Sequence, residues 1–419
     1  MATISATSAK ASTKDQTVAE ALSRILGAVA PLPAREVALL DSLGAVLASD
    51  VRAPQDVPPF RNSAMDGYAV RGSDVATAPA RLTVIGNVAA GSAPTRAVGG
   101  GEAMRVMTGA PMPDGADTVV RVEDTDNRMD TVTITVATPA GLSVRQAGED
   151  LRSGEVVLRE GTVLRAAEIG VLATMGRSRV SIVGRPRVAV LSTGDEVVEL
   201  DANIGPGQIR DANRYSLASA VRAAGCEPVV GGIVPDTTDD LRRALRDATS
   251  RADVIVTSGG VSVGDHDHVK PVMSELGSIE FWAIAIRPGR PLAFGAVRDG
   301  DRSIPIFGLP GNPVSSLLTF ELFVRPALLR MSGRTNVERP RAKAKLLDTQ
   351  KKPKHLRFFA RGIYDAETGT VKTTGPQGSS ILRSMSLANC LIDLPEGRDT
   401  YQAGETVEVI LTEHPEPRS

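Results

Sequence analysis

The chain has 419 residues, 42% of them hydrophobic and 23% charged, with a net charge of -1 at pH 7. A chain this long exceeds one ordinary hydrophobic core, so about two to four domains are expected. The near-neutral balance argues against a general nucleic-acid surface. No apolar run is long enough to span a bilayer. Cys226 and Cys390 lie too far apart in sequence to suggest a disulfide framework or a CxxC metal site, which fits a reducing cytoplasm.

Residues 1–14 read as a floppy tail rather than a signal peptide, because Met1 to Thr13 lacks a continuous apolar core. Thr17-Val18-Ala19-Glu20 has capping-box spacing, and Val18, Ala21, Leu22 and Ile25 form one apolar helix face. A second helix is expected over Asp41 to Ala48. From Pro54 to about Ala140, short apolar runs such as Arg81–Ile85 and Thr131–Val136 alternate with Gly/Pro turns, the pattern of a compact β-rich module. Leu164 to Met175 predicts another helix.

From Val188 to about Gly333 strands and helices alternate. Strands are expected at Val188–Ser192, Pro228–Val234, Asp253–Thr257, Phe281–Ile286 and Ile304–Phe307. Helices are expected at Asn213–Ala224, Thr238–Ser250, Asp267–Leu276 and Pro313–Met331. Such alternation predicts a multidomain α/β chain whose central domain is a parallel sheet flanked by helices. Beyond Arg339-Pro340 short strands return, including Thr406–Leu411, as in a small β-barrel or sandwich.

Three expected strands run directly into polar, glycine-bearing turns. These are Ser192-Thr193-Gly194-Asp195-Glu196, Ser258-Gly259-Gly260-Val261-Ser262-Val263-Gly264-Asp265-His266-Asp267, and Gly308-Leu309-Pro310-Gly311-Asn312-Pro313-Val314-Ser315. Glycines let the backbone turn sharply and offer N–H groups to an anion. In an open α/β sheet such strand ends meet in one crevice. Asn312 and Pro313 open a helix, whose N-terminus both needs capping and suits an oxyanion. Arg287 and Arg290 sit in a Pro/Gly-stiffened turn and read either as an oxyanion clamp or as solvated arginines. Arg357 and Arg361 carry the same two readings. Glu196, Asp236, Asp265 and Asp267 follow strands and could hold Mg2+ beside a phosphate. Asp236 with Asp239 could equally cap the next helix. His266 and His268 are too few to complete a transition-metal site.

Three further turns complete an ordered set: Asn62-Ser63-Ala64-Met65-Asp66-Gly67-Tyr68-Ala69-Val70, Met107-Thr108-Gly109-Ala110-Pro111, and Gly148-Glu149-Asp150. Gly375-Pro376-Gln377-Gly378-Ser379-Ser380 lies near the end. With these motifs the chain resembles the molybdopterin molybdenumtransferase family, which includes the E domain of gephyrin, from about Val18 to Leu411. The SGGVS turn alone is less specific, since the related enzyme that adenylylates molybdopterin shares it.

The resemblance implies a transferase for the last step of molybdenum cofactor synthesis: adenylylated molybdopterin and molybdate bind, Mg2+ assists, metal enters the dithiolene and AMP leaves. It implies a cytoplasmic homodimer, with possible contacts to the adenylyltransferase and to molybdoenzymes. It implies an elongated linker domain (15–53 and 144–184), a β-rich lid (54–143) closing over the partner subunit's crevice, a molybdopterin-binding α/β domain (185–335) and a C-terminal β-barrel (336–415). By position, Asp66, Thr108, Asp150, Glu196 and Asp267 match its catalytic residues, and Glu196, Asp236 and Asp267 its metal ligands. Ser192, Thr193, Gly194, Asp236, Ser258, Gly259, Gly260, Ser262, Pro310, Gly311 and Pro313 match its pterin-nucleotide site. Arg287, Arg290, Ser315, Arg361 and Ser380 match its molybdate site. Many members have Lys-Pro-Gly-Lys-Pro where this chain has Arg287 to Pro291. Lysine after the Phe-Trp pair is replaced by Ala283, and Arg357 could stand in for an arginine one position away. A single-domain adenylyltransferase and a non-catalytic pterin-binding scaffold are the competing readings. The flanking modules argue against the first and the retained acids against the second.

Overall fold

The computed structural model describes residues 15–259, 272 and 275–412. The tail over 1–14, Gly260, Ser262, Asp265, His266, Asp267, His268 and most of the helix expected after Asp267 lie outside the described residues. The chain forms two compact units. One comprises Met1–Arg35, Gly44–Ala48 and Ser181–Ser419, and the other Glu36–Leu43 and Ser49–Val180.

The first unit is built on six strands: β1 (Arg187–Thr193), β2 (Glu227–Val234), β3 (Val254–Ser258), β4 (Gly277–Ala283), β5 (Pro291–Asp299) and β6 (Arg302–Leu309), in the order β2-β1-β3-β6-β5-β4. The four strands β2, β1, β3 and β6 run parallel. β5 is antiparallel to both β6 and β4. The sheet is therefore mixed, not wholly parallel, and β5 was not expected from sequence. Pro291 and Gly295 punctuate that apolar run as a turn would be punctuated, yet Pro291 stands at the strand's first position, where a proline is tolerated.

Side chains alternate across these strands, so each face feeds its own core. Val188, Val190, Val254, Val256, Phe307 and Leu309 pack with α1 (Val18–Ala28), α2 (Ala212–Ala223) and the helical run α4 (Pro313–Thr319), a π-turn at Phe320–Val324, and α5 (Arg325–Met331). Ala189, Leu191, Ile255 and Ile306 pack with α3 (Thr238–Arg251). Thr17 caps α1 through the capping box with Glu20, as the spacing predicts. The helix expected over Asp41 to Ala48 is absent. A 3-10 turn covers Leu39–Ser42, Gly44 takes φ +77, and Leu47 forms a β-bridge to Ile182.

The same unit ends in five strands: β7 (Arg341–Leu346), β8 (Arg357–Asp365), β9 (Thr370–Thr373), β10 (Cys390–Leu394) and β11 (Thr406–Leu411). Their pairing runs β8-β9-β7-β11-β10 and closes from β10 back to β8, which removes the open edges. Ile286–Arg287 pairs in parallel with Arg357–Phe358, so the arginine turn after β4 is tied to the barrel.

The second unit carries a five-stranded sheet ordered Thr118–Arg121, Gly67–Val70, Glu102–Val106, Ala80–Val88 and Thr131–Ile134. Its helix, Ala166–Thr174, is fixed by Glu168, which accepts from the Arg165 backbone N–H and side chain at 2.9 and 2.7 Å. These donors, the guanidinium first, lower the Glu168 carboxyl to about 2. A depressed acid stabilises the fold above its unfolded value of about 4.5, and that contribution is lost as pH falls toward 2. Glu168→Gln is expected to flatten the melting temperature of this unit between about pH 4.5 and pH 2, measured by calorimetry against the native chain.

Candidate functional site

The carboxyl ends of β1, β3 and β6 lie side by side, with Ser192 opposite Ser258 and Ser258 opposite Leu309. The Gly259 N–H donates to the Leu309 carbonyl at 3.1 Å, which joins the second turn to the third. Gly259 has φ +97, and a Cβ there would stand 2.9 Å from both the carbonyl and the hydroxyl oxygen of Thr193. A Cβ on Gly311 would lie 3.8 Å from the Gly259 Cα. The described strand ends thus meet at Gly259 and Gly311 as bare backbone, the surface an anion or a flat ring needs for close approach.

Asn213, at the start of α2, closes the meeting point. Its amide donates to Ser258 Oγ and to the Gly311 carbonyl, both at 2.7 Å. Asp211, the α2 N-cap, accepts from Ser192 Oγ at 2.9 Å and from the Arg214 N–H at 3.0 Å. Arg214 and Asp211 form a buried ion pair at 3.1 Å. Sequence reasoning named none of these three. Their signal was an Asp-x-Asn pair at a helix start, which periodicity reads as ordinary capping.

The acids occupy the rim. Glu196 is exposed, and its Oε2 lies 2.6 Å from where a Gly194 Cβ would be, so the missing side chain leaves the carboxylate room over the turn. Asp195 Oδ1 accepts from the Asp236 N–H at 3.1 Å, which draws the β1 and β2 turns together. Thr237, not Asp236 or Asp239, caps α3. Among the described residues no three His, Cys, Asp or Glu side chains assemble as a metal-binding group.

The third turn continues into a basic corner. Asn312 stands at the N-cap of α4, but its side chain makes no capping bond. The Val314 N–H instead donates to the Ser379 carbonyl at 3.1 Å, which sets the loop bearing Ser380 against the helix start. Gly289, in the arginine turn, packs on the same helix, where a Cβ would meet the Thr319 methyl at 2.8 Å and the Ser315 carbonyl at 3.4 Å.

Arg361 enters this corner from β8 and is only 1% exposed. Its Nε donates to Ser384 Oγ at 2.9 Å and its Nη2 to the Gly378 carbonyl at 3.0 Å, while Nη1 is buried with no hydrogen-bond partner. No carboxylate pairs with it among the described residues. Burial first, and the Arg287 charge second, push the guanidinium down to about 10. A buried cation that lacks a counter-charge is costly. Arg361 Nη1 leaves one buried N–H group unfilled.

Arg357, expected as a possible stand-in at this site, is committed elsewhere: it forms a bidentate pair with the buried Asp393, both bonds at 2.7 Å. Arg287 is exposed and stacks over Phe358 at 5.7 Å. Arg290 pairs with Asp15.

In the second unit the Thr108 backbone N–H and hydroxyl both donate to Asp66 Oδ1, at 2.6 and 2.8 Å. Those bonds hold the Asp66 carboxyl below its usual range. Asp150 belongs to a separate turn, whose backbone N–H donates to the Val57 carbonyl at 2.9 Å, and it makes no bond to that pair among the described residues.

A glycine crevice at a switch of strand order, with a buried unpaired arginine near the third turn, defines an α/β protein whose site chemistry suits an anionic ligand. Family models match in chain order: the MoeA N-terminal region (domains I and II) over residues 16–176, a probable molybdopterin binding domain over 189–330, and the MoeA C-terminal region (domain IV) over 343–412. Molybdopterin molybdenumtransferase 2 of Mycobacterium tuberculosis is 38% identical, over 89% of this chain and 94% of that protein. Molybdopterin molybdenumtransferase of Haemophilus influenzae is 37% identical, over 88% and 92% respectively. A crystal structure of a molybdopterin biosynthesis MoeA protein from Pyrococcus horikoshii superposes with a TM-score of 0.79 at 30% identity, covering 95% of this chain and all of that one. The chain belongs to the MoeA family of molybdopterin molybdenumtransferases.

Proposed function

We propose that this protein transfers molybdenum from molybdate to adenylylated molybdopterin, releasing AMP and giving molybdenum cofactor. The observation that carries this reading is Arg361, a buried cation with an unfilled N–H group beside a helix start and a glycine crevice. Molybdate is a tetrahedral dianion and suits an arginine fork, hydroxyls and helix N–H groups. Arg361, Arg287, Ser315 and Ser380 form its site in this reading, with Arg290 joining when it leaves Asp15. The turns carrying Ser192, Thr193, Gly194, Ser258, Gly259, Pro310, Gly311 and Pro313 take the pterin nucleotide.

Among the described residues the rim acids Glu196 and Asp236 offer oxygen donors, which suits Mg2+ rather than a softer metal. Glu196 and Asp236 would hold it, together with Asp267, which lies outside the described residues. Bound there, Mg2+ would neutralise charge on the leaving phosphate as the phosphoanhydride is cut. Glu196, exposed over Gly194, would face that phosphate. Asp66, kept ionised by Thr108, and Asp150, in a separate turn, both act from the second unit. We place them in the partner subunit's crevice within a homodimer. Mixing Asp66→Ala subunits with Arg361→Gln subunits then restores part of the activity that either variant lacks alone, and no restoration contradicts the shared site.

A cytoplasmic location fits two buried free cysteines, and among the described residues no helix is long and apolar enough to cross a membrane. The transferase reading is tested by supplying purified adenylylated molybdopterin, Mg2+ and molybdate, then reconstituting a cofactor-free molybdoenzyme. Molybdate-dependent reconstitution is expected. Adenylylation of free molybdopterin from ATP would move the assignment to the preceding step. Asn213→Ala removes the bond between the second and third turns, and is expected to raise KM for adenylylated molybdopterin about tenfold with molybdate binding retained. Steady-state kinetics and a molybdate titration check both halves.

A further inference from the structure

Gln16 is laid along the segment after β4 by an isolated parallel β-bridge to Ile284, with Asp15 just before it. The Gln16 N–H donates to the Ala283 carbonyl, and the Ala285 N–H donates back to the Gln16 carbonyl, both at 2.8 Å. Ile284, between them, donates to the Arg290 carbonyl at 2.7 Å. This backbone frame fixes where the two side chains meet. Arg290 Nη2 and Nε donate to the two Asp15 carboxylate oxygens at 2.8 and 3.1 Å. Asp15 is the more enclosed partner, its side chain 22% exposed against 61% for Arg290.

Arg290 and Arg287 share one Pro/Gly turn yet stand in different electrostatic states. Arg287 has no carboxylate partner among the described residues, and its positive charge reaches Arg361. Arg290 is neutralised. A carboxylate is a planar oxyanion that engages the guanidinium edge as a substrate oxyanion would. An incoming dianion therefore meets a filled fork and a like charge beside it.

We propose that Asp15 is a built-in competitor for the oxyanion substrate at Arg290, and so sets how much molybdate the protein needs. This rests on the molybdenumtransferase reading of the basic corner. Binding requires Arg290 to exchange one oxyanion for another, so Asp15 holds the affinity below what the arginine set alone would give. Because the pair is partly exposed, the effect is moderate.

The test uses the full chain and molybdate itself. Asp15→Asn keeps the backbone frame and side-chain size and removes the charge. It is expected to tighten molybdate binding, measured by calorimetric titration, by about two- to fivefold. The half-saturating molybdate concentration for AMP release falls by the same factor, while kcat at saturating molybdate and KM for adenylylated molybdopterin hold. A merely structural Asp15 would move those last two. Arg290→Gln weakens binding, and adding Asp15→Asn to it changes nothing further. Unchanged or weaker binding by Asp15→Asn, in a protein whose native form binds molybdate and releases AMP, overturns the competitor alone. A native protein that binds no molybdate overturns both this inference and the function beneath it.

Discussion

Gly259→Ala is expected to lower kcat/KM for adenylylated molybdopterin by about a hundredfold, the scale on which a displacement near 1 Å costs catalysis. The added methyl would lie 2.9 Å from two oxygens of Thr193, one of them backbone inside the sheet. A residue with a side chain at φ +97 is also strained. Neither oxygen belongs to a flexible chain end, so the turn itself must move, and with it the N–H that holds the third turn at Leu309. The Arg361 corner depends on different bonds, to Ser384 and Gly378. Molybdate binding by Gly259→Ala should therefore stay near the native value, which separates a displaced crevice from an unfolded protein. Native kinetics in this variant would contradict the assignment of the crevice.

Arg361→Met is expected to separate stability from binding. The native side chain places a positive charge in the interior without a carboxylate, and burial has already lowered its proton affinity to about 10. Replacing such a charge with an apolar chain of similar length removes that desolvation cost, although the Gly378 carbonyl and Ser384 hydroxyl lose a donor. The melting temperature without ligand should hold or rise. Molybdate should bind roughly 10- to 100-fold more weakly, the loss of one to two charge-assisted bonds. The native protein gains thermal stability on adding molybdate, by mass action, and the variant loses that gain. Scanning calorimetry across a molybdate titration reads both quantities. A variant still stabilised by molybdate to the native extent would remove Arg361 from the site.

Features that act within a few residues were the ones legible in the sequence. The Thr17–Glu20 box, the alternation that builds α2 and α3, and the glycines Gly194, Gly259 and Gly311 that follow β1, β3 and β6 all answer to local spacing. Two elements differ from the expectation, for opposite reasons. Gly44 ends what looked like a helix, while Pro291 and Gly295 sit inside a strand that sheet pairing holds extended. The partners of the arginines could not be read at all, because they are set by tertiary contacts. Arg357 finds Asp393 across 36 residues and Arg290 finds Asp15 across 275. Equal composition therefore hid three fates: Arg357 neutralised by a buried acid, Arg290 held at a surface pair, and Arg361 buried without a counter-charge. The residues that join the turns, Asn213 and Asp211, were masked by their position at a helix start, where both types are common for capping alone.

In the proposed reaction this crevice and its arginine corner couple molybdate to the release of AMP. A single-turnover assay tests it most directly: purified protein, adenylylated molybdopterin and Mg2+, with AMP quantified in the presence and absence of molybdate. A burst of AMP near one equivalent per site is expected, dependent on molybdate and lost in Arg361→Met. Release at the same rate without molybdate, or no release with it, would rule out that coupling.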